Sequence, residues 1–296
     1  MDSQSHRARP RPSIQVTPYY YIIYALKHYW FIFCKTELLL QLTPDGHYNI
    51  PYSEQPPVEI KEWTTVHEVD VPFHLTHDDI PTSVKSFRID TPVIDLPGYE
   101  MCGLRASFDK IPRHLYLIAG KCQEIIYWDS NTKYCGVCGA PMRLHTNISK
   151  RCTECGKEVW PQLATAIIVL IRRKSETGRR EDEQVLLVHA NNFRSNYYGL
   201  VAGFVETGET LEEAVCREVS EEVGLQITNI RYFASQPWPY PCGLMVGFYA
   251  DYVSGEIHLQ RSELGGGGWY TRDTLPHIPG KMSIARQLID NWTDNM

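Results

Sequence analysis

The chain has 296 residues, a formal net charge of −6 at pH 7 and a hydrophobic fraction of 43%. This length suffices for a sizeable core and for two domains. The negative balance argues against an extended basic surface for nucleic acid, but it is compatible with a small phosphate-bearing ligand or with one nucleic-acid end.

The first 130 residues predict an N-terminal domain of mixed α+β structure. Segments 66–71 and 84–89 alternate between apolar and polar residues as strands do, and segment 115–127 has helical spacing. The aromatic run 19–34 is interrupted by Lys27 and His28, which makes it too short and too polar to span a bilayer.

Targeting features are also lacking in the sequence. No small-residue cleavage site follows the aromatic run, and the last four residues carry no retention or peroxisomal address. We therefore expect a cytoplasmic protein without a membrane partner.

Two Cys-x-x-Cys pairs follow, thirteen residues apart, and each is succeeded by glycine: Cys135, Cys138, Cys152 and Cys155. Four thiolates at this spacing favour tetrahedral Zn²⁺ in a zinc ribbon over residues 131–160. Disulfides or a redox-active Cys-x-x-Cys are the alternatives, which a reducing compartment disfavours. Four protein ligands leave no open position for a catalytic water, so the expected zinc is structural.

Residues 161–296 predict a third unit. Segment 166–171 is typical of a buried strand, and 185–188 of its hairpin partner. Further strands are predicted near 230–235 and over 244–253, and a last helix over 283–292.

Between these strands lies an acidic helix that begins at Leu211. On a wheel of 3.6 residues per turn, Glu218 and Glu222 fall within the apolar stripe, Glu221 lies at its edge, and Arg217 points to the opposite face. Two carboxylates about 6 Å apart repel by about 3 kcal/mol at an effective dielectric of about 20. A divalent cation would offset this repulsion, and oxygen-only ligation favours Mg²⁺ or Mn²⁺. A solvated acidic helix is the alternative.

The surrounding residues favour the cation site. Thr210 and Glu213 fit a capping box, Gly224 suits the helix end, and Gly203 and Gly208 bracket a loop in which backbone can approach phosphate. Segment 203–225, with Glu209 and an Arg-Glu-Val-Ser-Glu-Glu-Val-Gly-Leu run, resembles the box that defines Nudix hydrolases. The resemblance implies an α/β/α sandwich with a mixed sheet, and metal-dependent hydrolysis of a diphosphate linked to another moiety.

Ten residues beyond the box stands Ser-Gln-Pro-Trp-Pro-Tyr-Pro, from Ser235 to Pro241. Alternating prolines predict a stiff extended loop that presents Trp238 and Tyr240, either to stack on a flat ring or to cover the core. Together with the zinc ribbon, this array resembles the NADH pyrophosphatase branch of the Nudix family. That resemblance implies a homodimer that cleaves NAD(H) to nicotinamide mononucleotide and AMP and, in some members, removes NAD caps from RNA.

Individual roles follow from the resemblance alone. The implied metal ligands are Ala202, through its carbonyl, and Glu218, Glu221, Glu222 and Glu263; Glu222 or Glu263 also accepts the proton. The implied substrate-binding residues are Arg105, Trp160, Phe204, Gln236, Pro237, Trp238, Pro239, Tyr240, Pro241, Cys242, Gly243 and Ala285. Phe204 is equally compatible with the core. Tyr240, Gly243 and Trp160 depart from the family's phenylalanine, serine and tyrosine.

Two other functions are compatible with the box. One is hydrolysis of another dinucleotide such as ADP-ribose. The other is a non-catalytic Nudix-like sensor, which the retained glutamates disfavour. We expect Arg217 and Glu209 to brace the loop against the helix through a buried ion pair rather than to contact substrate.

Overall fold

The computed structural model describes residues 27–71, 83–193 and 196–295. Half of the aromatic run 19–34 and the start of the predicted domain 1–130 lie outside these residues. Within them, three sheets and three α-helices form the fold, and no helix is long and apolar enough to cross a membrane.

The N-terminal sheet is mixed. Its described strands follow the order β3-β2-β1-β6-β5, with β4 pairing with β1 and β7 with β2. Their bounds are β1 His28–Cys34, β2 Glu37–Leu42, β3 Tyr48–Asn49, β4 Tyr52–Ser53, β5 His67–Glu68, β6 Ser83–Arg88 and β7 Tyr99–Gly103. Both predicted alternating segments therefore contain strands, although the first is paired over only two residues.

Helix α1, Arg113–Asn131, covers one face of this sheet. Its buried side, which includes Leu115, Ile118, Cys122 and Ile125, packs with the apolar residues of β1, β2 and β6 into one core. The helix predicted from spacing over 115–127 is thus confirmed, with about one turn more at its C-terminal end.

A three-stranded antiparallel sheet follows, with the order β10-β9-β8, formed by β8 Met142–Thr146, β9 Ser149–Cys152 and β10 Glu158–Val159. The buried Lys150 fixes it to the end of α1. Its ammonium group lies 2.7 Å from the Asp129 carboxylate and donates to the Thr132 carbonyl at 3.0 Å. Because a buried ammonium needs such partners, this contact sets the position of the ribbon.

The third sheet has the order β14-β15-β11-β12-β16, and β13 pairs with β11. Its strands are β11 Ala164–Arg173, β12 Gln184–Ala190, β13 Val201–Phe204, β14 Gln226–Trp238, β15 Gly243–Ser254 and β16 Leu264–Tyr270. β11 runs parallel to β15 and antiparallel to β12. The four strands predicted here are all present.

Helices α2, Leu211–Val223, and α3, Ile284–Asn295, pack on opposite faces of this sheet. Alternate residues of β11 supply both layers because successive side chains of a strand point to opposite faces. Ile167 and Val169 join the core under α2, whereas Ile168 and Leu170 join the core under α3. The predicted α/β/α sandwich is confirmed.

The aromatic loop differs from the prediction at its start. Ser235 to Trp238 belong to β14 and pair with β15, and only the following residues turn. Pro237 is tolerated because β14 is the edge strand of the sheet, where one backbone N–H is not needed.

Candidate active site and zinc centre

Helix α2 begins and ends as the sequence predicts. The Thr210 hydroxyl accepts from the Glu213 N–H at 3.2 Å, and the Glu213 carboxylate accepts from the Thr210 N–H at 2.7 Å. Gly224 ends the helix at φ 72°, a conformation that costs glycine little. These caps fix which residues of α2 face the sheet.

Glu222 is the buried carboxylate of the site. The residue is 5% exposed, and no donor or cation pairs with its carboxylate in the part of the chain that the structure describes. Burial, and then the charges of Glu218, Glu263 and Glu221, raise its pKa to about 8. The alternative of a solvated acidic helix is therefore wrong for Glu222, while Glu221, with a side chain 56% exposed, lies at the edge as predicted.

Arg217 does not point to the opposite face, as the wheel predicts. Its guanidinium bonds to Glu209 at 2.6 Å and 3.0 Å, to Glu218 at 2.9 Å and to Glu221 at 3.2 Å. A long side chain can turn along the helix surface toward acids one and four positions further along the chain. The expected pair with Glu209 is confirmed, and Arg217 also holds two of the candidate ligands.

Glu218 lies directly over Gly203. A Cβ at position 203 would lie 1.9 Å from Glu218 Oε1, so only glycine leaves room for the carboxylate. β13 carries this glycine against α2, whereas the side chain of the adjacent Ala202 packs with the core under α3. The first glycine of the box thus has a steric role beside a candidate ligand.

A cleft of about 370 Å³ brings Ala202, Glu222 and Glu263 together. Glu263 projects from an exposed loop whose backbone is tied to the end of β12, where the Asn191 N–H donates to the Glu263 carbonyl at 2.7 Å. Residue spacing alone does not place Glu263 beside Glu222, because the two glutamates lie on separate elements.

The chemistry of these groups fits a divalent cation. Carboxylates in one cleft, one of them buried without a counter-charge, are the ligands that Mg²⁺ and Mn²⁺ prefer. Among the described residues, however, the four cysteines form the only group of three or more candidate ligands whose atoms all lie within 4.8 Å of one another. The glutamates form no such group, and Arg217 holds two of them, Glu218 and Glu221.

Trp238 and Tyr240 line a separate groove, together with Arg105. Their rings meet edge to face with centroids 5.1 Å apart, and the Arg105 guanidinium lies 5.0 Å and 4.5 Å from them. Tyr240 also packs on the N-terminal core, and its hydroxyl bonds to that of Tyr116 at 2.7 Å. Of the two predicted alternatives, stacking on a ligand or covering the core, Tyr240 therefore covers the core in part. Trp238 belongs to no core cluster in the described chain.

Gln236 and Gly243 have internal partners. The Gln236 amide donates to the Met282 carbonyl at 2.8 Å and accepts from the Ile284 N–H at 2.7 Å, which joins β14 to the start of α3. A Cβ at Gly243 would lie 3.1 Å from the Trp238 carbonyl oxygen. Close packing against the Trp238 backbone therefore favours glycine at position 243, where the family has serine.

The other candidate substrate residues are dispersed. Phe204 is 65% exposed, so its alternative core role is wrong. Trp160, 53% exposed, and Cys242 line an apolar cavity of about 380 Å³ beside α1 and the ribbon. Ala285 is buried in α3. Pro239 packs on α1, where a Cβ at Gly120 would lie 3.1 Å from its Cγ.

Sequence reasoning missed two groups near these sites. Asn192 and Phe193, just after β12, line both the glutamate cleft and the aromatic groove. Glu124 lines the apolar cavity, and burial raises its pKa to about 7. No local pattern marks these residues, because only the packing of α1 and the β12 loop brings them to a cavity.

The four cysteine sulfurs converge at the tips of the ribbon. Sγ of Cys135 lies 3.6 Å from that of Cys155, and Sγ of Cys138 lies 3.4 Å from that of Cys152. These distances approach the edge of about 3.8 Å expected for a tetrahedron with Zn–S bonds of about 2.3 Å. All four are free thiols, so the disulfide alternative is wrong.

Backbone N–H groups favour the thiolate form of two of these sulfurs. The N–H groups of Cys155 and Glu154 point toward the Cys152 sulfur and lower its pKa to about 6, and those of Cys138 and Val137 lower the pKa of Cys135. Gly139 and Gly156, at φ 77° and 73°, permit the turns. The residues therefore fit a structural zinc ion.

Comparison with family models gives two matches. Residues 162–292 match the NUDIX domain, and residues 27–128 match the NADH pyrophosphatase-like rudimentary NUDIX domain. Together these regions include both α-helical layers of the third sheet and the N-terminal sheet with α1.

Curated relatives are similar over most of the chain. The NAD-capped RNA hydrolase NudC of Stutzerimonas stutzeri is 39% identical, over 69% of this chain and 71% of its own. The proteins of that name from Klebsiella pneumoniae and Deinococcus radiodurans are 41% and 38% identical, over 72% and 74% of their lengths. Among solved structures, a NUDIX hydrolase from Nitrosomonas europaea matches 55% of this chain and 92% of its own, at 22% identity and a TM-score of 0.44.

Proposed function

This chain belongs to the Nudix hydrolase family, and from that premise we propose that it hydrolyses the diphosphate bond of NAD(H). The products are nicotinamide mononucleotide and AMP, and we propose that an NAD cap on an RNA 5′ end is cleaved at the same bond. The names of the relatives, NAD-capped RNA hydrolases, support this substrate class.

One observation carries the proposal. The buried, unpaired Glu222 meets Glu263 and Ala202 in a cleft, and Asn192 and Phe193 join that cleft to the groove of Trp238 and Tyr240. Carboxylates for a cation and aromatic faces for a base thus lie in two adjoining spaces. A base stacked on an aromatic side chain contributes about 1–3 kcal/mol, which suits recognition of the nicotinamide or the adenine.

The residues of the site have three roles: they hold a cation, accept a proton and position the ligands. Glu218, Glu221, Glu222, Glu263 and the Ala202 carbonyl would hold Mg²⁺ or Mn²⁺, which when bound supplies positive charge to the diphosphate oxygens and to the attacking water. The Glu222 or Glu263 carboxylate accepts the proton of that water. Water oxygen bonds to one phosphorus, and the bond from that phosphorus to the bridging oxygen breaks. Arg217 positions Glu218 and Glu221 and does not contact substrate.

Assembly and location belong to the same proposal. Trp160 and Leu163 flank the apolar cavity with 53% and 49% exposure, and a second copy of the chain that covers them would form the homodimer implied by the resemblance. Three domains, 1–130, 131–160 and 161–296, form each copy. Nine free cysteines, four of them arranged for zinc, support a reducing compartment, the cytoplasm. Light scattering tests the dimer directly.

A substrate panel tests the activity. Purified protein is incubated with Mg²⁺ or Mn²⁺ and NADH, NAD⁺, ADP-ribose or NAD-capped RNA, and the products are separated by chromatography. We expect nicotinamide mononucleotide and AMP from NADH, and RNA with a 5′ monophosphate from capped RNA. Faster turnover of ADP-ribose than of every nicotinamide substrate would contradict the proposal.

A further inference from the structure

A groove of about 1670 Å³ separates the N-terminal sheet and α1 from residues 238–241 at the end of β14, which we call the aromatic turn. Ligand pockets are usually about 300–1,000 Å³, so a bound dinucleotide would leave much of this groove free. The volume of the groove therefore suits a ligand larger than a dinucleotide.

The groove is locally basic. Among its described lining residues are four cations, Lys35, Arg88, Arg105 and Lys133. The acid in that set is Asp90, whose carboxylate is already paired with Lys61 at 3.3 Å. The groove is therefore positively charged although the net charge of the chain is −6. The prediction that the protein lacks a basic surface for nucleic acid does not hold for this groove.

Aromatic side chains line the same groove as these cations. Tyr127 is exposed on α1, and the rings of Phe193 and Tyr197 stack with centroids 4.4 Å apart. Trp238 and Tyr240 form the opposite end beneath Arg105. A positive groove with aromatic platforms is the arrangement that binds single-stranded nucleic acid with little sequence preference.

The groove adjoins the catalytic cleft. Asn192 and Phe193 line both spaces, so the groove begins where the cleft of Glu222 and Glu263 ends. We propose that this groove binds the single-stranded RNA segment that follows the 5′ NAD cap. Lys35, Arg88 and Lys133 contact its phosphates, and Tyr127 and the Phe193–Tyr197 pair contact its bases. This inference rests on the proposed function and extends its substrate from the cap to the RNA chain.

The test neutralises the three cations that lie away from the aromatic turn. The variant Lys35→Gln/Arg88→Gln/Lys133→Gln is compared with Lys174→Gln/Arg179→Gln/Arg180→Gln, which removes the same charge from the turn between β11 and β12. Substrates are NADH and a capped RNA of about 12 nucleotides, within the range bound by single-strand sites. For the groove variant we expect a loss of about 10-fold in kcat/KM on capped RNA at low salt, with NADH hydrolysis unchanged.

Salt dependence gives a second readout. Each phosphate contact to a single strand contributes about 0.7 to the slope of log affinity against log salt, so the slope should fall by about 2 in the groove variant only. Equal losses on NADH and capped RNA, or equal losses in the two triple variants, would overturn the proposal.

A binding measurement separates this inference from the proposed function. Fluorescence anisotropy with uncapped RNA of the same sequence needs no hydrolysis. If the wild type binds this RNA more tightly than the groove variant but cleaves no nicotinamide substrate, the groove stands and the proposed function fails. If both proteins bind it equally, the groove proposal fails even when NADH is cleaved.

Discussion

Glu218 Oε1 occupies the place that a side chain on Gly203 would need, 1.9 Å from the ideal Cβ position. The contact joins β13 to α2 at the centre of the candidate active site. A methyl group at position 203 would drive the carboxylate away, and this is the easiest adjustment because the end of a glutamate side chain is flexible.

Gly203→Ala should therefore reduce activity more than stability. We expect a loss of about 10-fold or more in kcat with saturating Mg²⁺, and a destabilisation of about 1–3 kcal/mol from overpacking. Gly280→Ala is the matched control, because a Cβ there meets nothing within 4 Å. Wild-type kcat in Gly203→Ala would remove Glu218 from the metal site.

Glu222→Gln should lose most activity at saturating Mg²⁺ while it keeps the fold. In Mg²⁺- and Mn²⁺-free buffer with zinc still bound, its stability should also respond to pH differently from the wild type. The pKa of Glu222 is raised from 4.5 to about 8, so the folded wild type binds a proton that the unfolded chain releases. The contribution of this proton to the free energy of unfolding is complete below about pH 4.5 and is lost as the pH rises toward 8.

The slope of that fall is at most about 1.4 kcal/mol per pH unit for one proton. Glu222→Gln should lack it, which denaturant titrations at several pH values can measure. Glu212→Gln changes an exposed acid on the same helix and should keep the wild-type slope. Parallel pH profiles for all three proteins would show that burial of Glu222 is not coupled to folding.

Trp238→Ala and Tyr240→Phe should separate stacking from packing. Loss of the Trp238 face should raise KM for NADH by about 5- to 150-fold, equivalent to about 1–3 kcal/mol, with a small change in melting temperature. Tyr240→Phe keeps its ring but loses the bond to Tyr116, so it should cost about 1 kcal/mol of stability with KM little changed.

A minimal diphosphate without the nicotinamide half is the control substrate for these variants, and its hydrolysis should change little. If Trp238→Ala loses both activities equally and melts earlier, Trp238 supports the fold and does not bind a base.

Cys135→Ser should release zinc and destabilise the ribbon. Structural zinc contributes about 10–16 kcal/mol of apparent binding free energy at pH 7 in small zinc domains, and one lost thiolate opens the tetrahedron. Elemental analysis should find zinc in the wild type and little in the variant. Cys216→Ser replaces an exposed thiol on α2 and should retain the metal. A wild type without zinc would exclude the site.

The sequence by itself determined the parts that depend on local periodicity and on neighbouring residues. The caps of α2, the burial of Glu222, the two Cys-x-x-Cys pairs and four strands of the third sheet follow from the spacing of nearby residues. A carboxylate placed at a core-facing helical position is buried whatever the rest of the chain does, provided that the helix packs.

Tertiary structure decided which of these pieces meet. Glu263 reaches Glu222 only because its loop is tied to the end of β12, and Arg217 turns toward Glu218 because the acids offset its charge better than solvent does at that edge. Tyr240 bonds to Tyr116 across 124 residues of sequence. The basic groove arises in the same way, since Lys35, Arg88, Arg105 and Lys133 are remote in sequence and form no run. Net charge sums over the whole chain, whereas a ligand responds to the charges that the fold brings within a few ångströms of it.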